Sequence, residues 1–183
     1  MHNRSKSGFT IVELLIVIVV IAILATITIV AFNGIQQRAI NSQTVSAVNA
    51  YKKAIFQYAI DNNGSAPYGT RSNICLGSGY TSTIGATNNV CATGGIAGGQ
   101  TIPDDDATFT ANISKYLQTE PVTGGQLIDN GSGSQAIGIV FWSSGREIYY
   151  FLRGAGQSCT AGGTASSWSS AATMCTLALT LPS

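Results

Sequence analysis

Gly8-Phe9-Thr10-Ile11-Val12-Glu13 stands at the head of a long apolar run, and everything downstream is read outward from it. A short polar leader with Arg4 and Lys6 precedes it. Residues 14–32 carry no charge, and Thr26 and Thr28 are the only polar side chains among them. As a helix such a run is long enough for a ~30 Å hydrocarbon core. A secretory signal has a shorter apolar core, about 7–15 residues, followed by a small-x-small cleavage site. No Ala-x-Ala ends this run, so the natural cut lies in front of it, at Gly8, and leaves the helix on the mature chain. Arg4 and Lys6 keep the leader cytoplasmic by the positive-inside rule. Glu13 is the one charge at the edge of the run, and a carboxylate near a bilayer centre costs on the order of 2.5–3.5 kcal/mol. A chain that carries one there uses it.

These residues together resemble the N-terminus of type IV pilins and pseudopilins, with the short leader of the type IVa subclass. The resemblance covers about 30 residues of the 183. It implies that a prepilin peptidase cleaves between Gly8 and Phe9 and methylates the new Phe9 amine. It implies further that Glu13 pairs with the Phe9 amine of a neighbouring subunit and sets axial register in a filament. Glu13 lies four residues after Phe9, one helical turn on, which places both on one face. Val30 stands where many pilins carry proline, so no proline kink is expected there; Asn33-Gly34 offers a weaker break. Ala22 and Thr26 are small and four apart, a spacing that permits close helix–helix approach.

The helix is expected to continue beyond the apolar run. Ile35, Ala39, Val45, Val48, Tyr51, Ile55 and Tyr58 recur mostly in steps of three and four, while Gln36, Gln37, Arg38, Gln43, Lys52 and Lys53 fill the other sides. Asp61-Asn62-Asn63-Gly64 is a stop signal, with Gly64 suited to the left-handed conformation. One helix over 10–62 would be roughly 80 Å long at about 1.5 Å per residue. The expected organisation is a leader (1–8), a transmembrane or filament-core helix (9–33), an amphipathic second half (34–64) and a globular head (65–183).

Gly, Ser, Thr and Asn dominate from 65 to 102, which predicts a long loop-rich connection. Cys75, Cys91, Cys159 and Cys175 allow three pairings. Two local loops, Cys75–Cys91 and Cys159–Cys175, are the simplest, and an exported chain meets the oxidising compartment where such bonds form. A zinc site would need a C-x-x-C pair or a histidine outside the leader, and neither is present. Asp104-Asp105-Asp106 precedes a short helix predicted over 107–117, and caps it. The alternating carboxylate pattern of a calcium loop is missing. Glu120-Pro121 ends that helix. Strands are predicted over 136–142, 146–152 and 176–181, with a turn at Ser143-Ser144-Gly145. Three antiparallel strands on the second half of the long helix give an α+β fold, a long N-terminal helix packed on a C-terminal antiparallel sheet with disulfide-bounded loops. That agrees with the fold the resemblance implies.

Only 9% of the residues are charged, against roughly 25% in ordinary soluble domains. Without Arg4 and Lys6 the chain keeps seven basic and eight acidic side chains. A neutral Ser/Thr/Gly/Asn surface suits packing among identical subunits. It lacks the clustered Lys and Arg of strong nucleic-acid capture. The single histidine, His2, lies in the leader, and no acid–base pair or nucleophile is marked by spacing, so neither catalysis nor a cofactor is expected. The expected function is a structural type IV pilus subunit. It is held first in the cytoplasmic membrane, then assembled by the pilus machinery into an extracellular filament serving motility, adhesion or DNA uptake. A type II secretion pseudopilin and a signal-anchored surface adhesin are the alternatives.

Overall fold

The computed structural model describes residues 8–68, 72–80, 83–84, 87–88, 90–92, 102–103, 106–125, 128–129, 135–136, 138–142 and 146–182. Side chains are described over 8–27, 32, 34–68, 72–78, 91, 106–123, 128, 136, 138–141 and 146–182. The leader residues 1–7, Asp104, Asp105 and the turn Ser143-Ser144-Gly145 lie outside the described residues.

The chain is α+β. Helix α1 (Ile11–Asp61) is followed by short strands β1 (Asn73–Leu76), β2 (Ser78–Tyr80), β3 (Thr83–Ile84), β4 (Thr87–Asn88), β5 (Val90–Ala92) and β6 (Ile102–Pro103). Helix α2 (Ala107–Ile113) runs into a 3-10 turn, Ser114–Tyr116. Then come β7 (Val122–Gly125), β8 (Ile128–Asp129), β9 (Gln135–Ala136), β10 (Ile139–Trp142), β11 (Glu147–Arg153), β12 (Thr164–Ser169) and β13 (Ala172–Ala178). The chain divides into two compact units, one ending at Arg38 and the other beginning at Ala39.

In the first unit every large apolar side chain described from Phe9 to Ile27 is between 47% and 88% exposed. A helix that is apolar all round has no solvent face to offer water.

In the second unit α1 is amphipathic. Thr44, Ala47, Val48, Tyr51, Ala54, Ile55 and Ala59 are buried, in the three-and-four rhythm of one helix face. Lys52 and Lys53 are exposed. The helix ends where its stop signal stands. Asn63 (φ 52°) and Gly64 (φ 77°) are both left-handed, and the Gly64 N–H donates to the Ala59 carbonyl at 2.8 Å, which satisfies an orphan carbonyl of the last turn.

The main sheet is five-stranded, in the order β1-β10-β11-β13-β12, and all its pairs are antiparallel. Strand alternation divides it into two buried faces. Ile74, Leu76, Ile139, Phe141, Ile148, Tyr150, Leu152, Cys175 and Leu177 join α1 and α2 in one core. Cys75, Val140 and Phe151, with Tyr149, Trp168 and Met174, form a second cluster with Cys91 and Ala136. Those last two belong to a smaller sheet, β6-β5-β9-β8.

Several expected elements are corrected. The sheet has five strands rather than three, because β1 lies inside the stretch expected to be loop and β12 inside the Cys159–Cys175 loop. The strand expected over 136–142 is two strands in different sheets, parted at Gly138, whose φ of 68° interrupts extended backbone. The strand expected over 176–181 starts earlier, at Ala172, and ends at Ala178. Leu179 and Leu181 follow it outside the ladder yet still pack on the core. Helix α2 stops at Ile113 and tightens into the 3-10 turn. Its cap is Asp106, which accepts from the backbone N–H groups of Thr108 and Phe109 at 3.1 and 3.0 Å.

Candidate functional site

The residues singled out at the N-terminus meet at the first turn of α1. Gly8, Phe9 and Thr10 precede the helix. Thr10 is its N-cap and Glu13 its third residue, and the two exchange hydrogen bonds. The Glu13 N–H donates to Thr10 Oγ1 at 3.3 Å. The Thr10 N–H and its hydroxyl each donate to Glu13 Oε2 at 2.8 Å. This is a capping box, in which two orphan amide donors are satisfied reciprocally. The Thr-x-x-Glu signal for it is present in the sequence and was not part of the expectation above. It also corrects the shared helix face of Phe9 and Glu13. The helix starts at Ile11, so Phe9 lies outside it, 88% exposed.

The arrangement leaves Glu13 with two jobs available. One oxygen, Oε2, starts the helix. A carboxylate has acceptor sites on both oxygens, so Oε1 can accept from a cation supplied by another molecule. The exposed N–H groups and dipole of the first turn favour negative charge at this end.

Further along, the Thr26 hydroxyl donates to the Ile23 carbonyl at 2.7 Å, so the one polar side chain described within the apolar run is satisfied by its own helix. Among the described residues no helix is long and apolar enough to cross a membrane. The side chains of residues 28–31, inside the run expected to span, lie outside the described set.

The four cysteines are joined as Cys75–Cys91 and Cys159–Cys175. The first bond ties the main sheet to β5 on one side of that sheet, and the second lies in the core on the side of α1. Among the described residues no group of three or more His, Cys, Asp or Glu side chains is placed to hold a metal ion.

Gly8-Phe9, the Thr10–Glu13 capping box and an exposed apolar helix surface thus stand together at the head of α1. Residues 3–29 match the family described as "Prokaryotic N-terminal methylation motif", and the chain carries that motif of prokaryotic pilins and pseudopilins. Over 63 residues it is 36% identical to "Type II secretion system core protein G" of Aeromonas hydrophila, covering 34% of this chain and 44% of the relative. The protein of the same name from Klebsiella michiganensis is 33% identical over 63 residues, with the same coverage. A "Fimbrial protein" of Neisseria meningitidis serogroup B is 33% identical over 78 residues, 39% of this chain and 46% of the relative. The chain therefore spans less than half the length of the curated relatives it matches. No solved structure matches.

Proposed function

We propose that this chain is a structural, non-catalytic subunit of a type IV pilus-like filament. It would be processed between Gly8 and Phe9, methylated on Phe9 and assembled through its N-terminal helix. The observation that carries the reading is the exposed apolar surface of α1 from Ile11 to Ile27, which begins at the Thr10–Glu13 capping box. Such a surface needs a cover. Before assembly the cover is the inner membrane, and afterwards it is the same helix of other copies. Self-association is thus the principal partnership, with prepilin peptidase and the assembly machinery acting on the way. The proposed parts are the leader (1–8), the core helix (9–33), its amphipathic continuation (34–64) and the head (65–183).

Between filament types, the two disulfide loops and the large head favour a pilus subunit. Similarity to two secretion-system core proteins favours a pseudopilin as the second reading.

The test separates the two jobs of Glu13. Glutamine can replace glutamate in a capping box but carries no charge. Glu13→Gln should keep helix content and membrane insertion while sharply lowering the yield of sheared filaments; Glu13→Ala should lose the side-chain half of the capping box as well as the filaments. Normal filament yield in Glu13→Gln would refute the pairing role. Intact mass of sheared wild-type protein should lack Met1–Gly8 and carry one extra methyl; a full-length mass would point to a signal-anchored adhesin.

A further inference from the structure

Helix α2, the segment that follows it and the bend between β1 and β2 enclose a cavity of about 650 Å³, within the size range of sites for small organic molecules. All its lining residues belong to the second unit. The lining is layered. Tyr51, Phe109 and Ile113 are buried, and Leu117 packs on the same core; they make an apolar floor. Ser78, Thr110, Ser114 and Thr119 add hydroxyls, Gln118 an amide and Glu120 a carboxylate. Most of these polar residues are exposed, so they stand at the mouth.

The walls are fixed. The Ser78 N–H donates to the Pro121 carbonyl at 3.1 Å. Gly77 takes φ 94°, and a Cβ there would lie 2.6 Å from that same oxygen; only glycine lets the backbone approach so closely. Opposite, the Phe109 N–H is held by the Asp106 cap, and its ring packs 5.7 Å from that of Phe141. Cys75 is tied to Cys91. A site already formed in the free chain spends little binding energy on ordering itself.

Charge narrows the ligand. Glu120 is the one acidic side chain in the lining, and no lysine, arginine or histidine belongs to it. Lys115, next to Ser114 in sequence, is engaged elsewhere: its Nζ lies 3.8 Å from Asp61 and 4.6 Å from the centre of the Tyr116 ring. Thr110, Ile113 and Ser114 bring the C-terminal turn of α2 into the wall, and that end of a helix favours positive charge. Anions are therefore disfavoured, and a cation finds a partner at the mouth. The floor favours an apolar body beneath it.

We propose that this pocket binds a small organic ammonium, with its apolar or aromatic body on the floor and its positive group at Glu120. The hydroxyls at the mouth accept the remaining N–H groups of the ammonium. The head then carries a ligand-binding activity of its own, beyond its structural role.

The test uses probes that share one skeleton and differ in charge: phenethylammonium, phenethyl alcohol and phenylacetate. Each is titrated into the full chain in a non-ionic detergent. The methyl NMR signals of Ile113 and Leu117 read occupancy, and Ile148, which is not in the lining, serves as reference. Phenethylammonium should bind about fivefold tighter than the alcohol, the upper range for one exposed ion pair, and phenylacetate should bind weakest. Glu120→Gln should bring the ammonium down to the affinity of the alcohol. Thr110→Trp, which fills the mouth from an exposed helix position, should abolish binding of all three, with the Ile148 signal in place and both disulfides intact by mass. Pocket methyls that no probe moves at millimolar concentration would overturn the site. Equal affinity for ammonium and alcohol, or a preference that survives Glu120→Gln, would overturn the ligand class. Binding that Thr110→Trp leaves intact would overturn the placement. Should Thr110→Trp fail to fold, Glu120→Gln, a change at an exposed side chain, carries the decision.

Discussion

Asn41→Ala isolates the contact that fastens α1 to the end of the main sheet. The Asn41 side-chain amide bridges the backbone of Arg153, the last residue of β11. Its Nδ2 donates to the Arg153 carbonyl at 3.0 Å, and its Oδ1 accepts from the Arg153 N–H at 2.8 Å. One side chain thus takes the place of a neighbouring strand at a position where the ladder runs out. The same Nδ2 lies 3.4 Å from Gln157 Oε1. Gln157 is fixed in turn by its N–H to Thr173 Oγ1 at 2.9 Å, and the buried Thr173 hydroxyl donates to the Gly154 carbonyl at 2.8 Å. Alanine removes a donor and an acceptor together. A buried backbone group left without its partner costs about 1–3 kcal/mol. This site is half-buried, so water partly replaces the amide and each group falls at the lower end. The total is about 2 kcal/mol, which lowers the midpoint of thermal unfolding by about 4–8 °C for a chain of this size. Asn41→Asp should be no better than alanine, because a carboxylate oxygen then faces the Arg153 carbonyl. Thermal unfolding of the full chain in detergent, with disulfides intact, is the assay. A midpoint within about 2 °C of wild type for Asn41→Ala, below the range just derived, or a rescue by aspartate, would refute the reasoning.

Asp106→Ala should cost about 1–2 kcal/mol through loss of the α2 cap, with faster amide exchange at Thr108 and Phe109; Asp106→Ser should recover most of it. Replacing either cysteine pair by alanine should cost about 3 kcal/mol, given a sequence separation of 16 for each. The two losses should add in the quadruple variant, since the bonds lie in separate clusters. At high pH, burial and the hydrogen bond to Glu147 push the Tyr149 hydroxyl up to about 12, and burial raises Tyr150 as well. The folded state therefore holds its phenol protons above the ordinary value of about 10. The associated stability is complete below pH 10 and is lost as pH rises from there through 12. Denaturant midpoints for Tyr149→Phe should fall less steeply across that window than those of wild type.

The helices and the apolar strands were legible because burial imposes a period. The rhythm from Val45 to Tyr58 in α1, and the alternation of Ile148, Tyr150 and Leu152 against Tyr149 and Phe151, are written in side-chain chemistry. Strands β1 and β12 were not. Asn73-Ile74-Cys75-Leu76 is too short to alternate visibly, and Thr164–Ser169 is an exposed Ser/Thr strand whose place comes from backbone pairing with β13. Hydrophobic patterning says nothing about such a strand. Gly138 broke an apolar run that reads as continuous, since a left-handed residue leaves no trace in hydropathy. At the N-terminus the apolar run and Glu13 were plain. The reciprocal bonds with Thr10 follow from spacing once that residue is taken as the cap.

The order of strands in the main sheet has a consequence for how the head comes into being. β13 follows every other strand in the chain, yet it lies between β11 and β12 rather than at a margin. A chain made from its N-terminus delivers its keystone after all the stones that lean on it. Until residues 172–178 are made, β11 has only β10 beside it, β12 has no ladder at all, and Cys159 waits for Cys175. Cys75 and Cys91 can meet much earlier. The two bonds should then form in sequence, the Cys159–Cys175 bond serving as a chemical record that the head has closed. A chain oxidised only at Cys75–Cys91 is one whose last strand has not yet been set, and its free Cys159 and Cys175 thiols mark that state.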